Sequence, residues 1–399
     1  MSAPPLGPAG RVARFFIDSK LTPVVIIASM LLGIGAILVL PREEEPQIIV
    51  PMIDVFVQMP GASAAEVAQR VTKPMEKLLW EIPGVEYVYS TSSPGMSMAI
   101  VRFYVGEDEE RSIVRLQSKL MANMDRIPCC GVSPPLIKPR YIDDVPILAL
   151  TFWGEGLDHF TLRRAAAEAE EIVKREPDVS ITQLIGGESR RLTVRLDPLR
   201  LAAHGIDAVR ASATLLSANQ ASDAGGIPTR RGQIVVHAGG LLQDADAVRA
   251  VVLGVHDGRP VYVRDVATVV DGPADPDQYV FIGRGPAGAE KRLEALQPTT
   301  GVAPAVTLTV AKRKGTNATR VAGRVLARME DARGTILPEG VQMTVTRNYG
   351  ETAKEKSDEL LWHMLAAVVS VSVLIGVVLG RRESMVVALA IPVTLALTL

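Results

Sequence analysis

The side chains of this chain that could carry chemistry are few and scattered. Its five histidines, His159, His204, His237, His256 and His363, share no metal-ligand spacing, and no metal or cofactor site is expected. The two cysteines, Cys129 and Cys130, are adjacent. Neighbouring Cα atoms lie about 3.8 Å apart, below the usual disulfide range of roughly 4.4–6.8 Å, so both read as free thiols. No G-x-x-x-x-G-K-[ST] phosphate loop occurs, which excludes that route to ATP energy. No hydrolytic or transferase constellation is present, and the chain does not read as an enzyme. Met96 and Met98 would share one face of a strand; soft-metal binding is possible chemistry for such a pair, and core packing is the plainer reading. Lys312, Arg313 and Lys314 form a basic run too short for a polyanion patch and read as a solvated strand end.

One charged constellation has a definite position. Lys138, Arg140, Asp143 and Asp144 crowd the entrance to a strand beginning near Val145. Two readings stand: a solvated turn, or the gate or lining of a path. Coupling to an ion gradient would need an ionisable group buried in a membrane. The one such group inside an apolar run is His363, beside Trp362 near the end of that run. It reads as an interfacial side chain reaching headgroups, with a proton relay as the alternative.

The elements that must position these residues begin with apolar length. Leu21–Leu40 and Leu360–Leu379 are runs without Asp, Glu, Lys or Arg, each of about the 20 residues that cross a bilayer. The first is too long for a signal-peptide core and lacks an A-x-A site, so it reads as an uncleaved anchor. A third run, Met385–Leu399, reaches about 22 Å at 1.5 Å per residue, against about 30 Å of hydrocarbon. Arg11, Arg14 and Lys20 precede the first run, and Arg381-Arg382 follows the second. By the positive-inside tendency both clusters face the cytoplasm, and 41–359 faces outward. Arg42, Glu43, Glu44 and Glu45 read as anchors of the helix end. The net charge of −1 argues against nucleic acid as a partner.

The outer segment repeats itself. Met52–Gln58 reads as a strand. Ser63–Leu79 reads as a helix opened by a Ser63/Glu66 capping box and kinked at Pro74. Val85–Ser90 and Met98–Val105 read as strands around Pro94-Gly95, followed by a helix over Glu110–Arg126. The order returns with strand Val145–Trp153, helix Asp158–Glu176, strands Val179–Leu184 and Arg191–Leu196, and helix Asp207–Ser217. Strand–helix–strand–strand–helix is the start of a split βαβ, ferredoxin-like unit. Ala305–Ala311, Thr316–Arg333 and Val341–Thr346 form a late β-α-β piece, which makes the middle, roughly 186–271, an insertion. Within it Ala221–Gly232 is rich in turn formers; it reads as a surface loop, or as an arm that orders against a partner.

With these segments in view, the chain resembles the resistance-nodulation-division (RND) permeases of the acriflavin-resistance type. The resemblance is carried by Pro41–Ser97, Pro139–Trp153, Leu184–Pro198, Arg259–Pro273, Val310–Ala318 and Thr346–Leu361, in family order, and covers nearly everything from Gly10. It implies a multi-pass inner-membrane protein with helical spans and an α+β periplasmic region. That region would hold repeated ferredoxin-like porter subdomains and an inserted docking domain.

On this resemblance 1–20 is cytoplasmic and 21–40 is the first span. The first porter subdomain is 41–135, completed by 302–348. The second is 136–185, completed by about 272–285. The docking subdomain is 186–271. A periplasmic lead-in over 349–359 precedes the second span, 360–380, and 385–399 starts a third. The resemblance further implies a homotrimer that works with a periplasmic adaptor and an outer-membrane channel, in contact with lipid. It would exchange protons for amphiphilic drugs, dyes or metal ions. Arg140, Asp143 and Asp144 would lie on the substrate path, and Ser222, Asp223, Gly225, Gly226, Arg230 and Arg231 on an arm reaching the next protomer. Relatives are more than twice as long and carry paired aspartates in a fourth span. This sequence is therefore expected to be an N-terminal portion without transport of its own, a membrane-tethered interaction module being the alternative. Cys129-Cys130-Gly131 stands where relatives have a proline and glycine turn.

Overall fold

The computed structural model describes residues 7, 10, 15–17, 19–40, 42–43, 48–126, 131–230, 232–283, 285 and 301–398. Arg11, Arg14, Glu44, Glu45, Cys129, Cys130, Arg231 and Leu399, each given a reading above, lie outside these residues.

The first unit is built from β1 (Met52–Gln58), β2 (Val85–Ser93), β3 (Met96–Phe103) and β4 (Leu136–Arg140), in the order β2-β3-β1-β4. Every neighbouring pair is antiparallel. Alternation along β1 sends Ile53, Val55 and Val57 to one face, where they pack on Val67, Val71, Met75, Leu79, Leu116 and Leu120 of the covering helices. Full burial of each such side chain contributes about 1.5–3 kcal/mol. The covering helix starts at the capping box: the Ser63 N–H donates to Glu66, and the Glu66 N–H donates to Ser63 Oγ. Its middle is a π-helical turn, Ala68–Thr72, between α-helical Ala64–Val67 and Lys73–Trp80. Pro74 cannot donate a backbone hydrogen bond, and the wide turn immediately before it accommodates that loss in place of a sharp kink.

The second unit contains β5 (Leu148–Trp153), β6 (Val179–Ile185), β14 (Val302–Lys312) and β15 (Gln342–Asn348), covered by helices His159–Val173 and Ala318–Ile336. β14 pairs with β5, β5 with β15, and β6 with the far end of β14, so the order is β6-β14-β5-β15. This is the order of the first sheet. β13 (Val280–Gly283) shares the β6 edge of β14.

Three expectations are corrected by these pairings. The late 302–348 piece closes the second sheet, not the first. β4, drawn from the segment read as the start of the second unit, closes the first. Arg190–Leu196 (β7) leaves the second sheet and pairs with Ala267–Pro273 (β12). The physical reason is register. Val306, Leu308 and Val310 lie opposite Phe152, Leu150 and Leu148, merging two alternating apolar faces into one core. Alternation within a sequence identifies a buried face but not its partner. Pro139 hid β4, yet proline is tolerated on an edge strand, where its missing N–H costs no ladder bond.

Between β6 and β13 the inserted region packs its own core of Leu201, Ala211, Val248, Leu253, Val261, Val263, Val266 and Val269. It includes the hairpin of β8 (Ala221–Thr229) and β9 (Gly232–Gly239), and that of β10 (Val252–His256) and β11 (Arg259–Tyr262).

Three helices complete the chain: Leu21–Val39, Tyr349–Val378 and Arg381–Thr398. The first two are long and apolar enough to cross a membrane. Their apolar side chains stay outside any core; Leu32, Leu38, Val373 and Val377 are all exposed. Tyr349–Val378 follows β15 directly, capped by Asn348, whose side chain accepts from the Glu351 N–H. The 349–359 lead-in is thus the first part of the spanning helix.

Candidate functional site

Two regions of the α/β body differ from ordinary packed surface: the face of each sheet that carries no helices, and the charged junction between the two units.

On the first sheet the helix-free face carries the even residues of β1. Asp54 lies opposite Ile100 of β3 and Lys138 of β4; Phe56 lies opposite Met98 and Leu136. Tyr87 and Tyr89 stack alongside, at 5.9 Å between ring centroids. Lys138 Nζ sits 5.9 Å from the Phe56 ring centre and the Arg102 guanidinium 5.8 Å from that of Tyr87, within cation–π range. Asp54 is only 5% exposed. Arg140 places both Nε and Nη2 2.6 Å from one oxygen, Asp54 Oδ2. The other, Oδ1, is buried and has no hydrogen-bond partner among the described residues.

The corresponding face of the second sheet is hydroxyl-rich. Thr151 Oγ1 lies 3.0 Å from both Thr307 Oγ1 and Thr346 Oγ1, and the Trp153 indole N–H donates to Thr344 Oγ1 at 2.9 Å. Such a plane offers hydrogen bonds but no charge.

The junction runs from β4 through the 3-10 turn Ile142–Asp144 into β5. The Tyr141 N–H donates to Asp144 Oδ2, which fixes the turn. Lys312 Nζ reaches Asp143 at 3.0 Å and Glu43, just beyond the first spanning helix, at 3.1 Å. Lys312 is 5% exposed, which corrects its reading as a solvated strand end. Lys314 pairs with Glu109 of the first unit at 3.0 Å, and Arg42 with Asp358 at 2.8 Å. Burial, then the carboxylates of Glu109, Asp144 and Glu110, push the Tyr141 phenol above its ordinary pKa, so it stays a neutral group between the units.

The structure therefore brings Arg140, Asp143 and Asp144 to one junction but gives them different tasks. Arg140 points back to the first sheet, Asp143 is held by Lys312, and Asp144 shapes the turn. On the β8–β9 hairpin, Asp223 accepts from the Gly225 N–H, Gly225 has φ +96°, and Arg230 is exposed at the turn; Ile227, Ile234 and Val235 are exposed as well. Ser222 pairs with Ala238 and Gly226 with Val235 in the hairpin ladder. His363 is exposed on the second spanning helix. Sequence reasoning missed Asp54 and misread Lys312. The signal for Asp54 was present, since an ionisable residue inside Met52–Gln58 marks that strand's non-core face.

Two units of like strand order, an inserted region and a spanning helix grown directly from the last strand define a membrane-attached α/β body. The family model described as AcrB/AcrD/AcrF matches residues 12–399, and the chain belongs to this family of RND permeases. It is similar to the multidrug resistance protein MdtC of Yersinia pseudotuberculosis and of Yersinia pestis, each 28% identical over 380 residues, covering 94% of this chain. The chain spans 35% of the length of these relatives.

Proposed function

We propose that this chain is the N-terminal portion of a proton-driven exporter of amphiphilic compounds, acting at the inner membrane and periplasm. Its two ferredoxin-like sheets serve as porter subdomains and the inserted region as the docking subdomain. What supports this reading most is the pair of sheets with helix-free faces, one aromatic with a buried carboxylate and one hydroxyl-rich, attached to a spanning helix without a linker. An amphiphile needs apolar and polar contacts together, and movement of that helix would be passed directly to the second sheet. Substrate would pass along the face holding Phe56, Met98 and Arg140, near the junction with Asp143 and Asp144.

A proton-coupled cycle requires titratable groups inside the membrane, and His363, the one such group in the two apolar runs, lies exposed near the start of the second. Neither Leu21–Val39 nor the apolar part of Tyr349–Val378 contains Asp or Glu. The 399-residue polypeptide expressed by itself is accordingly proposed to lack active transport. The test is dye efflux from cells expressing only these residues; efflux abolished by an uncoupler would refute the inactivity.

The exposed β8–β9 hairpin favours a homotrimer in which this arm enters the neighbouring protomer, with an adaptor and an outer-membrane channel completing the assembly. It is also the observation that supports the alternative of a membrane-tethered interaction module. Cross-linking through Ser222→Cys should give trimers, and monomers alone would count against both.

A further inference from the structure

We propose that Asp54 is a recognition site for the positive charge of an organic cation, with Arg140 occupying the site as an internal substitute until such a ligand arrives. The inference rests on the reading of the first sheet's helix-free face as part of the substrate path.

A carboxylate removed from water needs its lone pairs satisfied, because desolvation otherwise outweighs the attraction of its counter-ion. Asp54 is nine-tenths buried, with a side chain 7% exposed. A fork-to-fork arginine would use both carboxylate oxygens. Arg140 instead sets two nitrogens on Oδ2 and leaves Oδ1 without a donor. The pairing is therefore incomplete in a specific sense: one acceptor is buried and unused. The Arg140 side chain is 54% exposed, so the competing cation is free to swing toward solvent while the carboxylate stays fixed in the central part of a sheet.

Other buried polar atoms without hydrogen bonds do not define such a site. Glu86 Oε2 and Arg102 Nε lie 3.2 Å apart as an ion pair, Arg324 donates through another nitrogen to Asp178, and His159 Nδ1 belongs to a ring packed edge-on against Tyr279 and Phe281. Around Asp54 the same sheet face supplies Phe56, Met98 and Ile100, surfaces for the body of a flat apolar molecule. The Phe56 ring already has a cation, Lys138, near it. The ligand class is thus a flat aromatic or amphiphilic cation able to donate an N–H to Oδ1. Lys138 and Arg140 also place two positive charges on this face, which makes an organic anion the rival ligand.

The experiment uses the 399-residue chain in lipid nanodiscs and fluorescence polarisation of three dyes: rhodamine 6G as cation, Nile red as neutral and fluorescein as anion, with empty discs subtracted. Asp54→Asn keeps the shape and removes the charge; it should weaken rhodamine 6G by about tenfold, on the order of one charge-assisted hydrogen bond, and leave Nile red unchanged. Arg140→Gln removes the competitor and should tighten rhodamine 6G severalfold, a direction that unfolding cannot mimic. Ile100→Trp fills the face and should weaken both dyes. If Ile100→Trp weakens both but the Asp54 and Arg140 variants bind rhodamine 6G like the parent, cation recognition fails while the path stands. If Ile100→Trp affects neither dye, the path reading itself fails at this face. Fluorescein binding more tightly than rhodamine 6G would overturn the proposal in favour of the anion.

Discussion

At the scale of single residues, Lys312 shows how burial changes what a charge does. Exposed lysines at strand ends contribute little, because water screens them. Here one ammonium is shared by two carboxylates, Glu43 and Asp143, whose side chains are 14% and 11% exposed. One of these follows the first spanning helix and the other precedes β5. Removing the cation leaves like charges close together in a site poor in water. Lys312→Ala should destabilise the folded chain by about 1.5–3 kcal/mol, the usual worth of a hydrogen bond to a charged group. The combination Lys312→Met, Glu43→Gln and Asp143→Asn should recover most of that loss, since the like charges are removed together with the cation. Thermal unfolding of the purified protein in one detergent measures both. A single variant as stable as the parent would mean that water reaches the triad.

At the scale of elements, most of the first unit and both apolar spans were legible in the sequence. The capping box at Ser63, the apolar spacing of Val67, Val71 and Met75, and the hairpin at Pro94-Gly95 are local signals, and local geometry decides them. Closure of the sheets was not legible. β14 lies far from β5 in sequence, and nothing local states which alternating strand will be its neighbour. The site was legible only in part for the same reason: Arg140 could be named, but its partner Asp54 lies on another strand. Gly350 is a further case of long-range fit. A Cβ there would come 2.8 Å from the Ala318 carbonyl oxygen, and Thr319 Oγ1 donates to the Gly350 carbonyl at 2.8 Å. The spanning helix thus crosses the covering helix Ala318–Ile336 at near-backbone contact. Gly350→Leu should force this crossing apart and cost about 1–3 kcal/mol as an overpacked contact. Limited proteolysis should then detect loosening between the second sheet and the spanning helix. Protection equal to the parent would show that the joint yields without strain.

At the scale of the whole molecule, the spans decide on which side of the membrane the α/β body works. Arg42, just past Leu21–Val39, pairs with Asp358, just before the apolar part of Tyr349–Val378, and both helices line an apolar cavity of about 260 Å³, so the two run in opposite directions. Antiparallel crossing returns the chain to its starting side, placing Lys20 and Arg381-Arg382 at the same end. On the proposed topology this end is cytoplasmic, in keeping with the tendency of basic residues flanking spans to be retained there. The segment between the spans is then expected on the other side. Trypsin provides a direct reading, since Arg230 is exposed at the tip of the β8–β9 hairpin and Arg381 and Arg382 are exposed at the far end. Added outside spheroplasts, trypsin should cut at Arg230 and spare Arg381-Arg382; in inside-out vesicles the preference should reverse. Cleavage at both sites from one side would contradict an antiparallel pair of spans. Cleavage at Arg381-Arg382 from outside alone would keep the pair but invert it, carrying the sheet faces, the Asp54 carboxylate and the hairpin into the cytoplasm, where none of the proposed contacts with a periplasmic adaptor could form.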